Sequence, residues 1–357
     1  MGQPLTTRIV LLVDGMPAAE RALASMYAAA QRRAHGFAPT LWSGVDPIDD
    51  RFQALLDRVP MDLHAQEGGL APGRAPAIGE GARYTFNFRF IRPKDTGPFG
   101  SRVETMIVTS DQVQNSEMHA EVISFLTAAP DNGAALHCGL WVLAGREDGY
   151  SDIIPQGKAD RRPASSRRSL YLDRRLAEFA KGLLNARNAA LDTVVLSVVG
   201  FEYYLIDAYK QRDGFLERPL DFACNRAVVQ EILVALIRRA PVFRQLVARC
   251  ALWQRHGQRR LSLLQPVSAN GFFSDDGAPN IDRATGYALV TPDGIVDARS
   301  GASPFPRTDQ EMPEWVPYLT ADPAISIISG SAGDLGILCQ DVESSLPKLG
   351  RYASGTS

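Results

Sequence analysis

Ile9 to Val13 is an unbroken run of leucine and β-branched residues, the pattern of a strand buried on both faces within a parallel sheet. Asp14, Gly15 and Pro17 end the run, and Pro17 suits the first turn of a helix that the composition predicts over Ala18–Arg33. Gly36 closes that helix and Thr40–Val45 forms the next strand, so the chain is expected to open as strand, turn, helix, strand. Asp50–Val59 carries Phe52, Leu55, Leu56 and Val59 at helical spacing. Residues 67–81 are dense in Gly, Pro and Ala and predict a long loop. Tyr84, Phe86, Phe88 and Phe90 then alternate with polar residues, the period of a half-exposed strand at an edge or in an antiparallel pair.

Val103–Thr109, Leu136–Ala144 and Thr193–Val199 repeat the buried-strand pattern. Between them lie a helix capped by Ser116 and running to Leu126, a turn at Pro130–Gly133, and a second helix over Asp173–Asn188. Strands that alternate with helices imply right-handed crossovers and a parallel sheet. The expected fold class is therefore α/β, a Rossmann-like, doubly wound, mostly parallel sheet over residues 1–212. Residues 213–357 differ in character: Asn225–Ile237 and Val242–Trp253 read as helices parted by Pro241, followed by short β-prone pieces at Gly286–Val290 and Ile325–Ile328. This C-terminal helical and β elaboration either stands apart as an appendage or packs on the same sheet.

A chain of 357 residues has room for one large domain or two ordinary ones. Hydrophobic residues at 45% and charged residues at 22% exclude a disordered or fibrous chain. The formal charge of −2 argues against a general nucleic-acid binder, which would carry a strongly basic face. One stretch departs from that balance: Arg161, Arg162, Arg167, Arg168, Arg174 and Arg175 crowd together, either as a solvated loop before a helix or as a contact for an anion. Cys138, Cys224, Cys250 and Cys339 lack paired spacing, so reduced thiols in a core are expected in place of a zinc knuckle or a disulfide framework. The first apolar run, about six residues, is too short for a signal peptide or a membrane span, and no later run reaches the roughly 18 residues a span needs. These features lead to the expectation of a soluble, cytoplasmic protein.

In an open α/β sheet, ligands gather outside the carboxyl ends of the strands, where the strand order reverses. Asp14 and Asp111 each follow a buried strand, so neighbouring strands would bring two carboxylates to one crevice. Such a pair suits a hard cation, Mg²⁺ or Mn²⁺, or raises the pKa of one carboxyl for acid–base work. Ser110, Ser116 and Glu117 lie close enough in sequence to add oxygen ligands, which makes Asp14, Asp111, Ser110 and Glu117 the candidate metal-binding set. The competing reading is that each aspartate caps the helix or turn that follows it. His119 and His137–Cys138 read as packed residues of a helix and a strand. Ser274–Gly277 with Asn280 and Asp282 is oxygen-rich but lacks the spacing of an EF-hand, and the glycines of 329–336, placed after a strand, suit a phosphate loop.

RIVLLVDG at 8–15, EGGLAPG at 67–73 and ETMIVTSDQ at 104–112 resemble, in order and approximate spacing, the three loops of von Willebrand factor type A domains. That family is a doubly wound sheet with a cation site built from DxSxS, GGT and TDG loops. Asp14 matches the first aspartate and Asp111 the last, whereas Met16 and Ala18 stand where the serines would be and Leu70 replaces the threonine. The resemblance thus implies a degenerate metal site on a domain that binds a protein partner or scaffolds an assembly without catalysing. Two enzyme readings compete as a divalent-metal-dependent enzyme acting on a phosphate-containing substrate. The strand–Asp and TSD arrangement is similar to nucleases of the PIN and NYN type, whose clustered carboxylates hold Mg²⁺ to activate water. PAAER at 17–21, WSGVDP at 42–47, REDG at 146–149 and TGYALVTPDG at 285–294 are similar to lipopolysaccharide-type glycosyltransferases, a likeness that gives Glu147 and Asp148 the role of holding Mn²⁺ and the sugar-nucleotide diphosphate.

Overall fold

The apolar runs become strands of one mixed sheet. The computed structural model describes residues 5–15, 19, 42–45, 83–90, 99–130, 133–146, 170–187, 189–199, 201–209, 212–213, 222, 225–255, 260–267, 272–275, 278–279, 289–291, 294–296, 314–316, 322–332 and 335–346. In chain order the first elements are β1 (Leu5–Val13), β2 (Trp42–Val45), β3 (Arg83–Phe90), β4 (Phe99–Thr109), a 3₁₀ turn at Gln112–Gln114, and α1 (Met118–Thr127). β5 (Ala135–Arg146), β6 (Leu170–Tyr171), α2 (Arg174–Asn185), β7 (Thr193–Val199) and α3 (Phe201–Tyr209) follow. Next come α4 (Arg226–Arg239), α5 (Pro241–Arg255) and β8 (Leu261–Val267). The remainder holds β9 (Phe272–Asp275), β10 (Ala278–Pro279), β11 (Leu289–Thr291), β12 (Gly294–Val296), β13 (Glu314–Val316), α6 (Asp322–Ser329), β14 (Ile337–Leu338) and α7 (Cys339–Ser345).

The large sheet has the order β14-β8-β7-β5-β1-β4-β3-β2, with β6 on the end of β5. β4, β1, β5, β7 and β8 are mutually parallel, while β3, β2, β6 and β14 pair antiparallel at the margins. The protein is thus α/β with a mostly parallel sheet. From β4 to β5, β5 to β7 and β7 to β8 the chain always steps the same way across the sheet. Right-handed crossovers then put the intervening helices on one face, and α1, α2, α4, α5 and α7 do share one buried cluster. Val10, Leu12, Val108, Leu140, Val142 and Leu196 point into that cluster. The alternate residues, among them Ile9, Leu11, Trp141 and Val195, are equally buried and belong to the other face. There α6 lies across β7, β5 and β1, so strands covered on both sides read as continuous apolar runs.

Several expectations need correction. Within the strand expected over 40–45, Trp42–Val45 is β2; it closes the far edge of the sheet against β3, and β4 takes the place beside β1. β3 is antiparallel as its alternation predicts, but β2 covers it, so it is not the edge. Ser116 caps nothing: α1 begins at Met118 with Glu117 in the capping position and no side-chain capping bond. Ile325–Ile328, read as β-prone from its isoleucines, lies in α6, since packing against a sheet face outweighs a weak intrinsic preference. Pro241 does end α4, and it also occupies the first position of α5, where its missing N–H costs nothing. Beyond residue 213 the chain supplies β8 and β14 to the same sheet, and the buried cluster runs continuously across that point. Cys138, Cys250 and Cys339 are buried free thiols. The helices expected over 18–33 and 50–59 and the loop of 67–81 fall largely outside the described residues, as do Asp276, Gly277, Asn280 and Asp282.

Candidate functional site

β1 and β4 run side by side with Val13 opposite Thr109, so the residues that follow them leave the sheet at one rim. Asp14 follows the first strand and is exposed; Ser110 and Asp111 follow the second. Ser110 is 6% exposed and its hydroxyl donates to the Asp14 carbonyl at 2.8 Å, tying the two strand ends together. The Gln112 side chain folds back and accepts from the Thr109 N–H at 3.0 Å, which replaces the partner the strand loses where it stops. Asp111 opens the 3₁₀ turn, yet its carboxylate makes no capping bond and is solvent-exposed. Glu117, also exposed, stands before α1, and its backbone N–H donates to Asn115 Oδ1 at 2.9 Å.

The start of α2 packs against the same turn. Asp173 caps this helix, its Oδ1 accepting from the Arg175 N–H at 2.7 Å. The Arg175 guanidinium returns to the same carboxylate in a fork, Nη2 to Oδ2 at 2.8 Å and Nε to Oδ1 at 3.2 Å. These bonds hold the Asp173 carboxyl below the usual carboxylate range despite its burial. Arg175 is held charged first by Asp173 and, more weakly, by Asp111 and Tyr171 close by. Tyr171, 39% exposed, and Leu252 are the exposed large hydrophobic residues among those described. The rim therefore combines two solvent-facing carboxylates, a fixed guanidinium and an exposed aromatic ring. The sequence singles out Asp14 and Asp111 but groups Arg175 with a crowd of arginines. Its available signal was the capping aspartate two residues upstream.

The candidate metal ligands meet only in part. Asp14, Ser110 and Asp111 share the rim, and Glu117 lies beyond the 3₁₀ turn. Among the described residues no three or more His, Cys, Asp or Glu side chains are grouped so as to hold an ion. A Ca²⁺ site takes six to eight oxygens, whereas Mg²⁺ often rests on one or two carboxylates and keeps several waters. Two exposed carboxylates with a hydroxyl already bonded elsewhere do not supply the first arrangement. Asp14 and Asp111 are the residues that would hold Mg²⁺ or Mn²⁺ there. Met16, Ala18, Leu70, Glu147 and Asp148 lie outside the described side chains, as do Arg161, Arg162, Arg167 and Arg168.

His137 and Cys138 sit near the start of β5, at the opposite end of the strands from Asp14. His137 Nδ1 is 3.6 Å from Asp192 Oδ2 and its Nε2 lies 3.3 Å from Thr193 Oγ1. The same Asp192 oxygen accepts from the Cys138 N–H at 2.9 Å. Burial lowers the His137 pKa even though the Asp192 charge opposes it, and burial pushes the Cys138 thiol up to about 12. A neutral imidazole and an inert thiol describe packing at a strand start. His119 sets its ring edge-on to Phe179 with centroids 5.7 Å apart, joining α1 to α2. The glycine stretch from 329 follows α6, not a strand; Gly330, at φ +62°, adopts the left-handed conformation that ends a helix. It ends a helix, so the phosphate-loop reading loses the preceding strand on which it rested.

Among the described residues, no helix is long and apolar enough to cross a membrane. Compared with known proteins, the chain matches no family model, no curated protein and no solved structure.

Proposed function

We propose that this chain is a partner-binding or scaffold protein of the cytoplasm, working through the carboxyl rim of a Rossmann-like, doubly wound sheet akin to an A-type domain with a degenerate metal site. The strand order supports the doubly wound reading, because β1 to β4 steps one way across the sheet and β4 to β5 the other. Counting parallel strands alone, that reversal falls at β1, the strand that carries Asp14. The observation that carries the proposal is the composition of the rim: exposed Asp14 and Asp111 beside Arg175 and the half-open ring of Tyr171. Arginine and tyrosine are the residues enriched where proteins meet, and a guanidinium already fixed by Asp173 loses little freedom when a partner binds.

The test places a photo-crosslinking amino acid at position 171 and, as a control, at Ser124, exposed on α1, in cells that make the full chain. A discrete protein adduct from position 171 that disappears in Asp111→Ala supports the reading. No adduct from 171 at any irradiation dose refutes it.

A second reading is favoured by the paired carboxylates alone. Mg²⁺ or Mn²⁺ on Asp14 and Asp111 would neutralise a phosphate-containing substrate, as in a nuclease or a sugar-nucleotide transferase. A ligand that binds only the folded state raises stability by about 2.7 kcal/mol at a hundredfold excess over its Kd. A thermal shift with Mg²⁺ or Mn²⁺ that is lost in Asp14→Ala would favour this enzyme reading; no shift in either protein would remove it.

A further inference from the structure

Residues 226–260 contain eight arginines, one glutamate and no lysine, a surplus of seven positive charges in a chain whose formal charge is −2. The segment is mainly α4 and α5, two helices joined at Ala240, with Arg238 and Arg239 exposed in the last turn of α4. Part of this charge is already answered: Arg255 pairs with Glu343 at 3.0 Å, and the Arg260 guanidinium lies over the Trp253 ring at 4.9 Å. The acidic groups on neighbouring elements are mostly engaged too. Glu178 holds Lys181 at 2.8 Å, and Glu231 accepts from the Tyr209 hydroxyl at 2.8 Å. Among the described residues, nothing forms an ion pair with Arg238, Arg239 or Arg249.

One side of α5 is fixed by burial of Phe243, Leu246, Val247, Cys250 and Trp253. Its other side presents Leu252, 41% exposed, with Arg249 three residues before it and Arg255 three residues after. On a helix that spacing makes the three side chains neighbours. An apolar side chain between two guanidiniums is left facing water.

We propose that the outward side chains of α4 and α5 dock an acidic segment of a protein partner, which offers carboxylates to Arg238, Arg239 and Arg249 and an apolar residue to Leu252. The proposal rests on the partner-binding reading and adds the chemistry of the partner. Arginine without lysine favours a surface that meets planar carboxylates or phosphates in a forked geometry. Two observations favour carboxylates on a protein over a phosphate chain. Leu252 asks for an apolar contact that a sugar–phosphate backbone does not provide. The rest of the chain is net acidic, so a long polyanion extending past this patch would meet repulsion.

The probe is a fluorescein-labelled helical peptide of Glu, Leu and Ala, about 20 residues long, so that its span of roughly 30 Å covers all of α5. Its anisotropy is measured with the full chain at about 50 and 300 mM salt, alongside a duplex DNA of similar length and vesicles containing phosphatidylserine. Saturable peptide binding should weaken about tenfold or more in R238E/R239E and in Arg249→Glu, and severalfold in Leu252→Ala at both salt concentrations. The milder R238Q/R239Q, checked by an unchanged melting temperature, keeps the test valid if charge reversal unfolds the protein. Absence of peptide binding, or tighter binding of DNA or vesicles that the same variants release, overturns the proposal. Tyr171 lies on β6, which touches α4 and α5, so the variants keep the two tests apart: Asp111→Ala should abolish the crosslink and leave peptide binding unchanged, and Arg249→Glu should do the reverse.

Discussion

Gly139→Ala tests how the second face of the sheet is closed. Gly139 lies in the middle of β5, between β1 and β7, directly under α6. A Cβ placed there would stand 2.2 Å from Ile327 Cγ2, 2.9 Å from its Cγ1 and 3.1 Å from its Cβ. Turning the Ile327 side chain can empty only one of the two Cγ positions and leaves the third contact, so the helix itself must shift off the sheet. Overpacking of this kind costs about 1–3 kcal/mol. Ile327→Ala alone should cost about 2–5 kcal/mol, because Ile327 is fully buried and its loss leaves a cavity. The double variant should be less destabilised than the two effects added together, by about 1 kcal/mol or more, since the alanine methyl occupies space the isoleucine vacates. Urea denaturation followed by tryptophan fluorescence reads this as a midpoint shift of about 1 M for each 2 kcal/mol. Additivity within about 0.5 kcal/mol, or a Gly139→Ala variant as stable as the parent, would refute close packing of α6 on β5.

Three further outcomes are expected. Ser197→Ala leaves the Trp141 indole N–H, now donating to Ser197 Oγ at 2.8 Å within a fully buried layer, without its acceptor, and should cost about 1–3 kcal/mol in the same urea assay. Asp173→Asn should cost about 1 kcal/mol near neutral pH by weakening the cap and the fork to Arg175. Because the folded-state pKa of Asp173 is depressed, its contribution is present above the ordinary carboxylate pKa and is lost as pH falls through the lower folded value. The difference from the parent should therefore shrink as pH falls below the ordinary carboxylate value of about 3.9, and a gap that stays constant with pH would contradict the assignment. His137, depressed by burial, favours the folded state when neutral: its contribution is complete above about pH 6.5 and declines as pH falls below that value. A His137→Gln variant should lose this slope, and an NMR titration placing His137 at or above about 6.5 would defeat the argument.

The reading of Asp14 and Asp111 as neighbours depended on two strands whose patterns are visible in the sequence. Their adjacency is not written there. The sequence treats residues 103–109 and 9–13 alike as buried runs, and nothing in either run states that β4 pairs with β1 while β2 and β3 lie outside it. It is the pairing that brings Ser110 to the Asp14 carbonyl. Arg175 was in view only as one arginine among many, until the cap at Asp173 turned its guanidinium back toward the rim. The charge surplus of residues 226–260 was legible by counting, but its meaning waited on knowing which arginines lie outward and which are already paired.

By itself the sequence determined the buried strands and the α/β class, because a strand covered on both faces must be apolar at every position and that pattern is local. It determined most helices of the main cluster for a related reason: one face must be apolar at a period near 3.6 residues. Only the tertiary structure decided the strand order, the helical state of Ile325–Ile328, and the inclusion of β8, whose Ser262, Gln265 and Pro266 break the apolar run. Those choices are made by contacts between residues far apart in the chain, where closing a long loop is offset by burying a shared surface. Local periodicity carries no record of that exchange.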